Sequence, residues 1–344
     1  MTRVVASAPG KLVLLGEYAV LEGAPALVLA VNRRARVTLS DGVDDAWEIV
    51  SPTLHLNARL RLRHDKVEWL GHAPAELDWV AMLLARLPQA AGLPPCRIEL
   101  DSAPFYFERV HSEQTAARTK LGLGSSAALT VALLGALHAQ ANSPPPTLDE
   151  AIRAHRAIQH GQGSGIDVAA ALSGGLTRFV LGAHEPRTLA LSWPDGLRWC
   201  CVYSGRSAST RTMLATVAAW HEREPAAFAQ RTHELATISS RGVDAIAAHD
   251  AAAFLTTLHD YAQALAGFGE AAGTDIASRE HRALGTIAAD CGCVYKSCGA
   301  GGGDVGVTFA VEDERLWEFA SRATQSGFAV IELETDPQGL TCCC

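Results

Sequence analysis

The segment Lys120-Leu121-Gly122-Leu123-Gly124-Ser125-Ser126-Ala127-Ala128 constrains this chain more than any other. It is a glycine-serine loop that runs into an apolar stretch read as a helix from Leu129 to Ala141. Glycine reaches left-handed backbone conformations at little cost, so several N–H groups can be turned to one side. A helix that follows adds its unpaired first-turn N–H groups and the positive end of its dipole. Together these make an anion cradle suited to phosphate. The simpler reading is a helix start capped by Ser125 or Ser126.

Two further segments bear on that choice. One is Ala8-Pro9-Gly10-Lys11-Leu12-Val13-Leu14-Leu15-Gly16-Glu17-Tyr18-Ala19-Val20-Leu21, near the start. The other is Lys296-Ser297-Cys298-Gly299-Ala300-Gly301-Gly302-Gly303-Asp304, near the end. In this order and at this spacing, the three segments resemble the motifs of the GHMP small-molecule kinases, and the resemblance covers essentially the whole chain. It implies an α+β fold in two domains, with a ribosomal-protein-S5-like N-terminal domain and a ferredoxin-like C-terminal domain. The expected division is residues 1–190 and 191–344, with ATP and substrate meeting in the cleft between. The cofactors it implies are ATP and Mg²⁺.

The central loop does not end in the Gly-Lys-Ser/Thr of a Walker P-loop. Gly301, Gly303 and Gly306 formally match a dinucleotide fingerprint. The residues after them, Val305-Gly306-Val307-Thr308-Phe309, read as a strand, whereas that fingerprint opens a helix. A turn between two strands has no need of three consecutive glycines, so close backbone approach to a ligand is the better account of Gly301-Gly302-Gly303.

Phosphoryl transfer needs charge neutralisation, in-line positioning and help for the attacking oxygen. The resemblance implies that Gly122, Gly124, Ser125, Ser126 and Ala127 wrap the ATP phosphates and that Ser126 contacts Mg²⁺. Lys120 is either a phosphate contact or a solvated loop lysine. Gly161-Gln162-Gly163-Ser164-Gly165-Ile166-Asp167 resembles the segment that carries the catalytic aspartate, which makes Asp167 the base. Lys11 lies beside it in this reading and stabilises developing negative charge. Local chemistry gives the same segment a structural reading, with Ser164 as N-cap and Asp167 at the third helical position.

The mevalonate-kinase branch places a glutamate on the helix before this segment. Here Arg153-Ala154-His155-Arg156-Ala157-Ile158-Gln159-His160 holds no acid. Metal is then held by Ser126, phosphates and water, or Glu150 fills in from another turn. Ala154-His155, Gly16-Glu17-Tyr18, the final Asp304 and Ser204-Gly205-Arg206-Ser207-Ala208-Ser209-Thr210-Arg211 are more like the phosphomevalonate branch. His155 and His160 are phosphate contacts or ordinary surface histidines. The substrate side then comprises Glu17, Tyr18, Ser164, Arg206, Ser207, Arg211, Gly301, Gly302 and Asp304. The expected activity is phosphorylation of 5-phosphomevalonate. The alternatives are another kinase of the family acting on mevalonate or a sugar, a diphosphomevalonate decarboxylase, or a non-catalytic metabolite sensor. Lys11 counts against the decarboxylase, which lacks that lysine, and the joint presence of Lys11, Ser126 and Asp167 counts against a sensor.

Composition narrows the partners. The formal net charge is −8, with 29 Lys+Arg against 37 Asp+Glu. Nucleic acid and anionic membrane surfaces both call for basic patches, so neither is an expected partner. A phosphorylated hydroxy acid is the expected small-molecule partner, bound by a monomer or homodimer. No apolar run approaches a membrane span, and Met1-Thr2-Arg3-Val4-Val5-Ala6 reads as a strand and not as a signal peptide. A cytoplasmic location follows as the expectation.

The nine cysteines lack zinc-site spacing and read as reduced, mostly buried small residues. Cys342-Cys343-Cys344 reads as a frayed tail. Thr341 occupies the position where a prenylation box needs cysteine.

The remaining expected elements are strands at Val4–Ser7, Lys11–Leu15, Ala26–Val31, Arg34–Ser40 and Cys96–Leu100, and a helix from Asp78 to Ala91. A long irregular loop is expected from Asp101 to Thr119, and a helix from Leu148 to Ile158. Leu197–Tyr203 is a buried strand, the chain is then helical to Ala289, and the domain boundary lies near Arg187 to Trp193. The last stretch reads as strand Cys293–Lys296, strand Val305–Val311, helix Glu314–Thr324 and strand Phe328–Leu333.

Overall fold

The computed structural model describes residues 3–63, 66–87, 90, 92–110, 116–159, 161, 163–182 and 185–343. The anticipated first strands merge into two long ones, Val4–Leu15 and Ala26–Asp41, paired antiparallel. Pro9 carries no N–H and breaks the ladder locally, and the register shifts between Pro9 and Gly10. That irregularity lies two residues before Lys11.

Ala26–Asp41 is shared by two neighbours on its other edge. Its first residues pair with Leu176–Val180, and its last with Cys96–Asp101. The sheet grows outward through Trp47–Ser51, Leu56–Arg63 and Lys66–Trp69, three strands absent from the sequence reading. Leu56, Ala58, Leu60 and Leu62 alternate with Asn57, Arg59, Arg61 and Arg63, so the period of two was present there. The helices Ser125–Gln140 and Ile166–Ser173 pack on the first two strands.

The second sheet is four-stranded and antiparallel, in the order Val294–Ser297, Val305–Ala310, Arg198–Tyr203, Ala329–Ile331. Four helices separate its first two strands in sequence: Thr210–Arg223, Pro225–Ala247, Ala251–Ala272 and Arg279–Asp290. A fifth, Asp313–Gln325, precedes its last strand. This strand order and helix placement are the ferredoxin-like arrangement, so the α+β expectation holds.

Several expectations need correction. Arg187–Leu191 is itself a strand, forming a hairpin with Leu176–Val180 in the first sheet. The stretch from Asp101 to Thr119 is not a plain loop. It forms a short 3-10 turn, Ala103–Phe105, then a two-stranded ribbon of Tyr106–Val110 with Ala116–Lys120. The helix expected from Asp78 to Ala91 ends at Arg86, and part of its expected end lies outside the described residues.

The C-terminal residues are tied down. Thr341–Cys343 pairs with Val5–Ser7 of the first strand. Before it, Asn32 N–H donates to Glu334 O and Asp336 N–H to Ala30 O, both at 3.0 Å. Arg34 fastens this return segment. Its guanidinium pairs with Asp336 at 2.6 Å and donates to the carbonyls of Gly339 (2.7 Å) and Ser7 (2.9 Å). Gly135 lets the segment lie close, because a Cβ there would fall 2.7 Å from Leu340 Cδ1.

Arg34→Met is expected to remove the donor from Asp336 Oδ2 and from the carbonyls of Ser7, Gln338 and Gly339. The loss should be about 2–3 kcal/mol of unfolding free energy in urea titration, below the figure for a fully buried pair because the site is partly wet. A change under about 0.5 kcal/mol would show that the return segment is held by its backbone pairing alone.

Candidate active site

The phosphate loop begins where the ribbon ends. Leu121 N–H donates to Phe105 O at 3.0 Å, and Lys11 N–H to Leu123 O at 2.9 Å, which pins the loop over the first strand. Gly124 takes the helix N-cap position with φ 79° and no side-chain cap. The helix therefore starts at Ser125, four residues earlier than anticipated, and neither serine hydroxyl is consumed in capping. Ser126 and Ala127 stand in the first turn, where N–H groups have no acceptor within the helix.

The two loop glycines are needed for different neighbours. A Cβ on Gly124 would lie 3.1 Å from Lys11 Cγ and 3.6 Å from Asp167 Oδ2. A Cβ on Gly122, at φ +74°, would lie 2.5 Å from Asp304 Oδ2. The loop thus sits between the Lys11–Asp167 pair and the third motif. Lys11 Nζ is 3.6 Å from Asp167 Oδ1 and donates to Gly122 O at 3.4 Å. The lysine is buried, while the aspartate keeps partial access to the cleft.

Asp167 is the second residue of the helix Ile166–Ser173, and Gly165 takes the cap position expected for Ser164. Ser164 lies one residue earlier, its Oγ accepting from Ile166 N–H at 3.3 Å. Glu150 does not reach the loop region. It accepts from His138 at 3.1 Å, near the far end of the loop helix. His155 does reach it, with Nε2 3.3 Å from Ser126 Oγ. Burial lowers the His155 imidazole below its ordinary value, and the nearby Asp167 carboxylate opposes that shift. His160 lies outside the described residues.

Glu17 was expected to face substrate. It is instead 5% exposed and paired with Lys296, itself 2% exposed. The same carboxylate oxygen, Oε1, accepts from Gly299 N–H at 3.3 Å. Lys296 also donates to Ser297 O at 2.7 Å and stands 5.6 Å from the centre of the Tyr261 ring. Tyr261 returns to the first motif, accepting from Gly16 N–H and donating to Glu17 O at 3.0 and 3.1 Å. Tyr18, at φ 62°, donates its hydroxyl to Ala300 O at 2.8 Å. Its hydroxyl is buried, which raises its pKa. Motifs one and three are therefore joined through Glu17, Tyr18, Lys296 and Tyr261. Neither Lys296 nor Tyr261 was singled out from sequence.

Gly301 and Gly302 also differ from expectation. Both are buried, and Cβ atoms there would meet Ile276 O at 2.6 Å and Met213 Sδ at 3.0 Å. They are glycines because the body of the protein lies against them. His281 holds the next residue, its Nε2–H donating to Gly303 O at 2.9 Å while Nδ1 accepts from Tyr295 OH at 2.6 Å. Gly306 belongs to a strand, so the rejection of a dinucleotide fingerprint stands.

Asp304 does face the loop. Its Oδ1 accepts from Ala208 N–H at 3.3 Å, and its own N–H donates to Arg206 O at 2.7 Å. Burial raises its pKa, with Lys11 and Lys120 opposing. Desolvation lowers the Lys120 ammonium, with Asp304 opposing. Asp304 thus brings Arg206, Ser207 and Ala208 beside the phosphate loop. Arg206, Ser207 and Arg211 are all exposed, the last in the first turn of Thr210–Arg223.

Residues 81–175 match the family described as GHMP kinases N terminal domain. Over 88% of this chain and 89% of the relative, the sequence is 31% identical to a phosphomevalonate kinase of Streptomyces sp. (strain CL190). The chain belongs to the GHMP kinases. A mevalonate kinase of Methanothermobacter thermautotrophicus is 32% identical over 64% of this chain and 63% of its own length. This GHMP kinase also shares its fold with a Streptococcus pneumoniae phosphomevalonate kinase solved with phosphomevalonate and AMPPNP. There the TM-score is 0.77 at 18% identity, over 96% of this chain and 99% of that one. As a member of the family it is a phosphotransferase. Among the described residues, no helix is long and apolar enough to cross a membrane.

The buried ion pair gives a test of how the motifs are joined. Lys296→Met leaves Glu17 buried and uncompensated, and should cost about 3–5 kcal/mol in urea unfolding. Adding Glu17→Leu should recover most of that loss. If the double variant is no more stable than Lys296→Met alone, the pair is not the join.

Proposed function

We propose that this GHMP kinase transfers the γ-phosphoryl group of ATP to 5-phosphomevalonate, giving the diphosphate and ADP. The observation that carries the reading is the cluster of Lys11, Asp167 and the Gly124 loop, with Arg206 and Ser207 brought beside it through Asp304. The backbone N–H groups from Gly122 to Ala127, with Lys120, hold the ATP phosphates. The phosphate oxygen of the acceptor attacks the γ-phosphorus in line, and the bond to the β-phosphate bridging oxygen breaks as ADP leaves. Asp167 orients the attacking oxygen and receives its proton where it carries one. Lys11 offsets the charge that develops between them.

The residues present fit a Mg²⁺ nucleotide. Ser126 is an exposed residue, and its hydroxyl is not used as a cap. Among the described residues no group of three or more His, Cys, Asp or Glu is placed to hold a metal. Few protein ligands suit an ion that keeps several waters and binds through phosphates. Ser126 would hold it, and the ion would supply charge neutralisation at the phosphates.

Arg206 and Arg211 read the acceptor's phosphate in this proposal, since the nucleotide occupies the loop. Guanidinium binds phosphate with two parallel hydrogen bonds, which ammonium cannot reproduce. Mevalonate as acceptor is the second reading, favoured by the similarity to the mevalonate kinase. It leaves the two arginines without a task.

A coupled ADP-release assay over mevalonate, 5-phosphomevalonate, galactose and homoserine separates these. 5-Phosphomevalonate should give the highest kcat/KM, and a better value for mevalonate or galactose would overturn the assignment. Asp167→Asn should lower kcat by about 10²-fold, on the order of 3 kcal/mol, with ATP affinity unchanged. Arg211→Lys should raise KM for 5-phosphomevalonate about tenfold or more and leave KM for ATP alone. If neither Arg206 nor Arg211 affects that KM, another group reads the phosphate.

A further inference from the structure

The helix Leu148–Ile158 delivers one side chain to the phosphate loop. His155 is 5% exposed, with Nε2 3.3 Å from Ser126 Oγ. Ser126 itself is exposed, so its side chain has the imidazole on one side and solvent on the other. Gly124 takes the helix cap, so no capping bond competes for the hydroxyl. The acid on the same helix, Glu150, is engaged by His138 and supplies nothing here.

A serine hydroxyl has one hydrogen and two lone pairs. If the hydrogen turns into the cleft, it presents its positive end to a cation and removes the oxygen as a ligand. If the hydrogen goes to His155, the lone pairs face the cleft. Among the described residues, His155 is the hydrogen-bond partner of the Ser126 hydroxyl. The Ser126 backbone carbonyl is occupied by Thr130 Oγ1–H at 2.9 Å, which fixes the first turn and not the hydroxyl rotor.

We propose that His155 is a positioning residue that accepts the hydroxyl hydrogen of Ser126 at Nε2 and thereby turns the serine lone pairs toward the metal-bound nucleotide. The proposal rests on the reading in which Ser126 faces that nucleotide. It makes the metal affinity of the loop depend on a side chain that touches neither metal nor phosphate. It also accounts for a buried histidine directed at an exposed serine, an arrangement that helix packing alone does not call for.

The test measures binding and not turnover. Mn²⁺ binding in the presence of AMPPNP is followed by the loss of the free-ion electron paramagnetic resonance signal. AMPPNP affinity in EDTA is measured by calorimetry. His155→Leu should weaken Mn²⁺·AMPPNP binding about fivefold, the worth of one ordinary hydrogen bond, and leave the metal-free affinity within about twofold. His155→Gln, whose amide oxygen can accept the same hydrogen, should restore most of the loss. Ser126→Ala combined with His155→Leu should bind no more weakly than Ser126→Ala alone, because His155 acts through that hydroxyl.

Additive losses in the double variant would overturn the inference, as would equal weakening with and without metal. If His155→Leu does not fold, His155→Asn against His155→Gln carries the same comparison, since the shorter amide falls short of Ser126. Asn equal to Gln then overturns it. Failure of the underlying reading looks different: Ser126→Ala alone would leave Mn²⁺·AMPPNP affinity unchanged.

Discussion

The site hangs on one buried ion pair, Glu17 with Lys296. The two residues lie far apart in sequence: Glu17 in the turn that follows the first strand, Lys296 in a strand of the second sheet. Each would be costly to bury alone. The same glutamate oxygen also takes the Gly299 N–H, and the same lysine donates to Ser297 O. The pair therefore fixes the backbone at both ends of its reach. Tyr261, from a third element, ties Gly16 and Glu17 to the helices of the second half. Lys11 lies six residues before Glu17 on the same segment, and Asp304 eight residues after Lys296. Setting this pair in place sets the two sides of the cleft against each other.

Much of this fold was legible where local signals were strong and independent. The helix Leu148–Ile158 appears as read, because Thr147 caps it and accepts from Glu150 N–H, and its amphipathic period is clear. The strands flanking the glycine turn, Val294–Ser297 and Val305–Ala310, also lie where their apolar residues suggested. What sequence could not supply was partnership. Arg34 and Asp336 are 302 residues apart, and neither carries a local mark of the other. The cysteine-rich end looked like a frayed tail because nothing in Thr341-Cys342-Cys343 announces Val5–Ser7 as its ladder. The ribbon before the phosphate loop was hidden for a similar reason: it pairs only with itself, and polar residues blur its alternation.

The candidate site divides the same way. Lys11, Asp167 and the Gly122–Ala127 loop were named from sequence, and they converge. Glu17, Gly301 and Gly302 carry a motif's identity but are turned into the protein. A motif records that a residue type is needed at a place, and the need can be packing as readily as ligand contact. Ile276 and Met213 explain the two glycines with no ligand at all. Lys296 stood inside a quoted motif, yet only its geometry shows that it is Glu17's counter-ion. Buried acids in a motif call for a buried cation elsewhere, and Lys296 is the one lysine of the third motif. That inference needs the burial of Glu17, which the structure supplies and the sequence does not.

The charge balance around the loop explains why so few residues can do so much there. Lys11 and Lys120 face Asp167 and Asp304, two cations against two anions, before any phosphate arrives. Asp304 is the odd member, half-buried, in a left-handed conformation, and raised in pKa by desolvation. Its hydrogen bonds go to backbone N–H and its neighbour is a glycine, so it serves as a tether between the third motif and the loop. Asp167 keeps partial access to water and stays beside Lys11. Two aspartates that both feel the Lys11 charge thus come to differ in kind: one tethers the third motif to the loop, and the other keeps an accessible carboxylate beside the lysine. The hydrogen bonds and neighbours of each carboxylate, and not the residue type, make that distinction.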